Sequence, residues 1–208
     1  MIIETIVVGP LQVNCYLVGC EKSRVAAVID PGDDVERIIE GLKKADLKAA
    51  YIINTHEHFD HVGGNKRLHE ATGAQILAHR AGAEEITNIS SRALLWGMQA
   101  EDSPPVDRLL GDGDLVNIGE TVTLKVLSTP GHSLGSISLT GEKVAFVGDL
   151  IFAGSIGRTD FPGGDYETLL RSVREKIFPL GDEVVLYSGH GPATTVGRER
   201  ATNPFFAS

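Results

Sequence analysis

Apolar residues alternate with polar or small ones from the first positions of the chain. Ile2 to Val8, Val13 to Val18 and Val25 to Ile29 are bounded by turn residues such as Gly9-Pro10 and Pro31-Gly32, and each reads as a strand. The period then becomes helical, with an apolar stripe at Val35, Ile38, Ile39 and Leu42 behind a capping Asp33 or Asp34. Ala50 to Ile53 returns to a strand, Gly64 to Thr72 is weakly helical, and Ala74 to Ala78 is a short strand. From Arg80 to Arg108 no period holds, and with Trp96 and the Pro104-Pro105 break this stretch reads as a lid. Strands follow at Leu115–Ile118, Val122–Leu127, Ser136–Thr140 and Val144–Val147, then a helix near Tyr166 to Lys176 and a strand at Val184–Tyr187. Consecutive strands lie too close together for crossover helices, which argues against a doubly wound parallel sheet. The order predicts an α/β sandwich: two mixed sheets face to face, helices on the outer faces, in one domain over residues 1–208.

Composition narrows the function classes. The chain has 208 residues, 42% hydrophobic and 23% charged, enough to build an ordinary core. Its 19 basic and 28 acidic residues give a net charge of −9 without a basic run, which excludes a general nucleic-acid binder. No apolar stretch approaches the roughly 18 residues that span a bilayer, and Met1 to Pro10 lacks the features of a secretory signal, so the expected address is the cytoplasm. Cys15 and Cys20 are too few for a disulfide framework and are expected to be reduced.

Five of the seven histidines and two aspartates fall in turns that directly follow apolar strands. His56, His58, Asp60 and His61 follow Tyr51–Ile53, and His132 follows Val122–Leu127 in Pro130-Gly131-His132-Ser133. Asp149 follows Val144–Val147, and His190 follows Val184–Tyr187 in Ser188-Gly189-His190-Gly191-Pro192. Imidazole and carboxylate hold zinc, iron or manganese, and a strand-end turn is rigidly supported yet open to substrate. So many ionisable groups behind a buried strand are costly unless something pairs with them. The pattern points to a two-metal centre. His69 and His79 lack the Gly-bearing strand-end context and read as surface or supporting histidines, while Glu57 and Phe59 alternate with the ligands and should point elsewhere.

The His-x-His-x-Asp-His run followed by a distant His, Asp and His resembles the metallo-β-lactamase superfamily over essentially the whole chain. That resemblance implies an αββα sandwich with metals at one edge. His56, His58 and His132 would hold one ion, and Asp60, His61 and His190 a second, with Asp149 bridging; zinc is the expected metal, with iron and manganese as alternatives. Asn14-Cys15-Tyr16-Leu17, Ile29-Asp30-Pro31-Gly32, Gly157-Arg158-Thr159-Asp160-Phe161 and Gly189-His190-Gly191-Pro192-Ala193-Thr194-Thr195 make the chain similar to the short glyoxalase II-like group. Asp149 stands where true lactamases usually carry a cysteine. The ribonuclease branch is disfavoured by the acidic surface. Long glyoxalase II enzymes continue into a helical domain that contacts glutathione, whereas 18 residues follow His190 here, and Asp160 stands where those enzymes tend to carry an aromatic side chain.

The expected reaction is hydrolysis of a small acyl thioester, such as S-lactoylglutathione, by a hydroxide shared between the two cations. Asp60 and Asp149 are the candidate catalytic carboxylates, with Asp60 relaying the water proton. Arg158 is the candidate for gripping a substrate carboxylate, or else for pairing with Asp160. Asp30 and Thr55 are expected to orient ligand imidazoles. The alternatives are a persulfide dioxygenase with one iron on His56, His132 and Asp149, and a noncatalytic metal-binding module. The partner is a small glutathione-derived thioester rather than nucleic acid or membrane, and Asn203-Pro204-Phe205-Phe206 leaves the oligomeric state open.

Overall fold

A computed structural model describes residues 1–207. The first half builds a six-stranded sheet ordered β1 (Ile2–Val8), β2 (Val13–Gly19), β3 (Val25–Ile29), β4 (Lys48–Ile53), β5 (Gln75–His79) and β6 (Arg108–Leu110). Pairing is antiparallel from β1 to β3 and parallel from β3 to β6. Helices α1 (Val35–Lys44), α2 (Phe59–Val62), α3 (Asn65–Thr72) and α4 (Ile89–Leu95) lie within these connections.

The second half supplies β7 (Leu115–Ile118), β8 (Val122–Ser128), β9 (Ile137–Gly141), β10 (Val144–Gly148), a small hairpin of β11 (Ile151–Phe152) and β12 (Ser155–Ile156), α5 (Tyr166–Ser172), β13 (Val185–Ser188), β14 (Thr194–Thr195) and α6 (Val196–Thr202). Its sheet runs β14-β13-β10-β9-β8-β7, with a parallel pairing between β10 and β13.

Alternation along β2 shows how the layers stack. Val13, Cys15 and Leu17 enter a core shared with Val35, Ile38, Leu42 and Leu68 of α1 and α3, while Tyr16 and Val18 face the second sheet through Leu124, Val126 and Phe146. A strand buried on both sides needs apolar residues at nearly every position, and all seven of β2 are buried, with Asn14 as its polar member. A third core joins Ala145 and Val147 of β10 to Leu169, Leu170 and Val173 at and beyond α5. Two sheets with helices outside are therefore the fold, as the order of elements predicts.

Several local expectations change. The stretch over residues 80–108 is not an open lid: Ile86, Ile89 and Ala93 are fully buried anchors, and Leu94 to Gly97 form its longest exposed run. Asp34 occupies the N-cap of α1 in a left-handed conformation, φ 48°, but its carboxylate does not cap the helix. Its Oδ2 accepts from the Gly9 amide and from Arg37 instead, so it ties the helix start to the β1–β2 turn. The helix at Tyr166 relaxes into a π turn over Val173–Ile177. Cys15 and Cys20 are free and belong to different cores. Among the described residues, no helix is long and apolar enough to cross a membrane.

Candidate metal centre

Parallel pairing decides where the site forms. β3 and β4 run parallel in one sheet, and β10 and β13 run parallel in the other, with β8 in the same direction as β10 two strands away. Their C-terminal ends therefore open on one edge. Asp30 follows β3, the turn carrying His56 and His58 follows β4, and α2 adds Asp60 and His61. His132 follows β8, Asp149 follows β10 and His190 follows β13.

The structure brings all seven sequence-predicted ligands together. The donor atoms of His56, His58 and His132 lie within 4.8 Å of one another, as do those of Asp60, His61 and His190. Asp149 touches both sets. Its Oδ2 is 3.7 Å from His132 Nε2 and 3.6 Å from His190 Nε2, while its Oδ1 is 3.5 Å from His61 Nε2. His56, His61 and His132 are buried, and the Asp60, Asp149 and His190 side chains retain 17%, 12% and 29% exposure, so the cluster is walled on the protein side and open on the other.

Unpaired atoms test whether cations fit. Among the described residues, the buried side-chain atoms without a hydrogen-bond partner are Ser23 Oγ and three of this cluster: His56 Nε2, His61 Nε2 and Asp149 Oδ1. Leaving a buried polar atom unpaired costs about 1–3 kcal/mol. Three such costs converging in one place, on atoms that are all metal-donor types, are what a cation would remove. Gly189 keeps that space clear, since a Cβ there would come within 2.1 Å of Asp149 Oδ1 and 2.7 Å of His61 Cε1.

The opposite nitrogens of the imidazoles are held from behind. Asp30 Oδ1 accepts from the Thr55 amide at 2.7 Å, and its Oδ2 accepts from Thr55 Oγ1 at 2.6 Å and from His61 Nδ1 at 3.0 Å. Thr55 Oγ1 lies 3.1 Å from His56 Nδ1. Asp30 and Thr55 thus stand where the sequence reading puts them, with ring nitrogens as their partners. Asp30, His56 and His61 also lie close enough to one another to hold an ion. There, however, the carboxylate oxygens and both Nδ1 atoms are already paired, which assigns that side to orientation.

Two supports carried no usable signal in the sequence. His132 Nδ1 donates to the Arg158 carbonyl at 2.8 Å, so Arg158 serves the centre through its backbone. Glu57 does point away from the ligand atoms, yet it is buried and accepts from Ser133 Oγ at 2.8 Å, tying the His56–His58 turn to the His132 turn. Burial pushes the Glu57 carboxyl up from its ordinary range. His69 and His79 stay outside the cluster, with His69 Nδ1 on the Ala74 carbonyl and His79 Nε2 beside Ser128 Oγ.

The Arg158 side chain is engaged. Its Nε and a terminal nitrogen donate to the two Asp160 oxygens at 2.8 and 2.7 Å, and the guanidinium lies 3.7 Å over the Phe161 ring. Of the two roles considered from the sequence, this geometry shows the ion pair.

Charge differs between the two triads. Burial and then the neighbouring histidines hold His56 well below the ordinary imidazole range, and burial and then His132 hold His58 down at about 3. Both are therefore uncharged at neutral pH, with His56 Nε2 unpaired and His58 Nδ1 2.8 Å from His132 Nε2. Burial opposes protonation of His61 too, but Asp149, Asp60 and Asp30 outweigh it and raise His61; burial also opposes protonation of His190, and a hydrogen bond to Asp60 raises it. Cations that bind Asp60, His61 and His190 must therefore displace protons. Adding zinc to chelator-treated protein near pH 7 is expected to release protons, measurable by pH-stat, and affinity should fall as pH falls because protons compete. Stripping the metal with the chelator should lower Tm, since a ligand at 100 times its Kd stabilises by about 2.7 kcal/mol. Equal Tm with and without metal would contradict occupancy of this cluster.

Comparison with known proteins agrees with the architecture. The model of the metallo-beta-lactamase superfamily matches residues 8–190. The chain is 40% identical to a protein named hydroxyacylglutathione hydrolase GloC from Haemophilus influenzae, over all of this chain and 99% of that one. Its fold is similar to the crystal structure of BLEG-1 B3 metallo-beta-lactamase, with a TM-score of 0.93 and 37% identity over the full length of both. It is also similar to TTHA1623 in a di-iron-bound form, with a TM-score of 0.89 and 36% identity over 97% of this chain and 99% of that one. With a family match over most of its length and the fold that goes with it, the chain belongs to the metallo-beta-lactamase superfamily.

Proposed function

We propose that the protein is a metal-dependent hydrolase that cleaves a small acyl thioester of the hydroxyacylglutathione type. The observation that carries this reading is Asp149 within reach of both triads, which gives a centre for two cations at an open edge of the sandwich. The full-length likeness to a hydroxyacylglutathione hydrolase supports the substrate class.

In this reading His56, His58 and His132 hold one divalent ion, and Asp60, His61 and His190 hold the other, with Asp149 shared. Zinc suits the donor set, and the di-iron form of a similar structure keeps iron in view. When bound, such cations lower the pKa of water from 15.7 to about 7 and polarise a carbonyl. The residues supply the rest. Asp30 and Thr55 fix the faces of His61 and His56. Asp60, whose Oδ2 lies 3.5 Å from His190 Nε2, takes in this reading the proton that water gives up. The departing thiolate, whose conjugate acid has a pKa near 8.5, needs no dedicated acid. A hydrolysis of this kind consumes one water and yields a carboxylic acid and a thiol.

The test is thiol release from S-lactoylglutathione by metal-loaded protein, run beside a β-lactam and beside oxygen uptake on glutathione persulfide. Thiol release above the metal-free control supports the reading. One iron per chain with oxygen uptake and no thiol release would establish the mononuclear dioxygenase using His56, His132 and Asp149.

Arg158 grips a substrate carboxylate, in this reading, only as far as Asp160 releases it. Asp160→Asn should therefore lower KM for glutathione thioesters roughly two- to fivefold, the size of an exposed ion pair worth up to about 1 kcal/mol, while kcat moves little. Steady-state kinetics measure it, and an unchanged KM removes Arg158 from substrate binding.

A further inference from the structure

Beside the centre, on the side of His190, lies a cleft of about 50 Å³ between the β1–β2 turn, α2 and the segment that follows α4. Its apolar wall includes Leu11, Val13, Phe59 and Met98, and its charged groups are Asp33 and Asp60, with no basic side chain in the lining. Two of these residues fix the cleft to the centre. Val13 forms an isolated antiparallel bridge with His190, and Asp60 Oδ2 lies 3.5 Å from His190 Nε2. The turn is further stitched to the last ligand by Asn14, whose amide donates to the Gly189 carbonyl at 2.7 Å and whose side chain donates to Ser188 and Gly191 carbonyls.

The geometry points to this cleft as the pocket for the acyl half of the substrate, one that selects an uncharged apolar acyl group and rejects a carboxylate-terminated one. This assignment rests on the thioester reading. At about 50 Å³ it holds a few water-sized groups, each needing about 10–15 Å³, which suits a short alkyl chain and not the glutathionyl half. A carboxylate entering it would leave water for an apolar wall, with no guanidinium or ammonium to receive it. An ammonium gains little in exchange, because Asp33 is exposed and Asp60 is turned to His61 and His190. An alkyl chain meets no such penalty. The thiol half then extends to the other side of the centre, where Phe161 lies 5.5 Å from His58 and 5.6 Å from Trp96, ring to ring.

The experiment compares three glutathione thioesters of matched length on the metal-loaded protein: pentanoyl, succinyl and 4-aminobutanoyl. Pentanoyl is expected to exceed both others in kcat/KM by at least about tenfold, as discrimination by an apolar pocket allows. Met98→Arg should cut the pentanoyl-to-succinyl ratio at least about fivefold by adding the missing cation. Equal rates for pentanoyl and succinyl would overturn the acyl-pocket assignment and leave the thioester reading standing, as would a preference for 4-aminobutanoyl. Failure of all three, with S-lactoylglutathione also inert, would overturn the thioester reading itself. A second readout needs neither turnover nor a folded variant. Trp96 is the lone tryptophan and sits two residues before Met98, so its fluorescence should respond to S-pentylglutathione at least about tenfold more tightly than to S-(3-carboxypropyl)glutathione. Equal affinities would overturn the assignment.

Discussion

Asp149→Ala is expected to remove both bound metal and turnover, each by more than about 100-fold, because groups that merely orient a ligand already cost about 10–100-fold when lost. Asp149 stands closer to the chemistry than those. It contacts His132 on one side and His61 and His190 on the other, so its loss removes the carboxylate that both triads share. Burial works against its ionisation, but His61, then His132 and His190, hold its carboxyl well below the usual carboxylate range. It is therefore charged at neutral pH, and alanine leaves His132 without its carboxylate neighbour and His61 and His190 with Asp60 as the carboxylate they share. Elemental analysis and thiol release on one preparation measure the result. Full metal content together with full activity in Asp149→Ala would refute the two-cation centre.

A second large effect lies one layer behind. Asp30→Ala should destabilise the protein by several kcal/mol and weaken metal binding about 10–100-fold. The mutation strips partners from the Thr55 amide, Thr55 Oγ1 and His61 Nδ1, all buried, and each unpaired group costs about 1–3 kcal/mol. Asp30→Asn separates the two effects. An amide retains an acceptor for Thr55 and tolerates the left-handed backbone at Asp30, φ 52°, so much of the stability should return. Its single oxygen cannot stand at both carboxylate positions and it brings no charge to His61 Nδ1, so metal affinity should stay low. Thermal unfolding and metal titration across the wild type and both variants test this, and parallel recovery of the two quantities in Asp30→Asn would assign Asp30 to packing alone.

Much of this centre was legible in the chain because each ligand sits directly beyond an apolar run. A strand end is a fixed place, and strands that point the same way bring their ends together, so His56, His132, Asp149 and His190 could be grouped without coordinates. What stayed hidden is whatever acts through the backbone or across long separations. The Arg158 carbonyl on His132 has no side-chain signature, and the Asn14 contacts to Ser188 and Gly191 join residues 174 and 177 positions apart. Short elements were missed for a related reason: β6, β11 and β12 have two or three residues each, too few for any period to register. The tract over 80–108 misled because its buried anchors Ile86, Ile89 and Ala93 are spaced three and four apart only across a change from a 3₁₀ turn to α4.

The bridge between Val13 and His190 also sets an order of events during protein synthesis. The turn that walls the cleft leaves the ribosome long before its partner does. A nascent chain can display His56, His58, Asp60 and His61 long before Asp149 and His190 exist to join them. Any ion captured at that stage would be held by half a cage, so tight loading must wait until translation has passed His190.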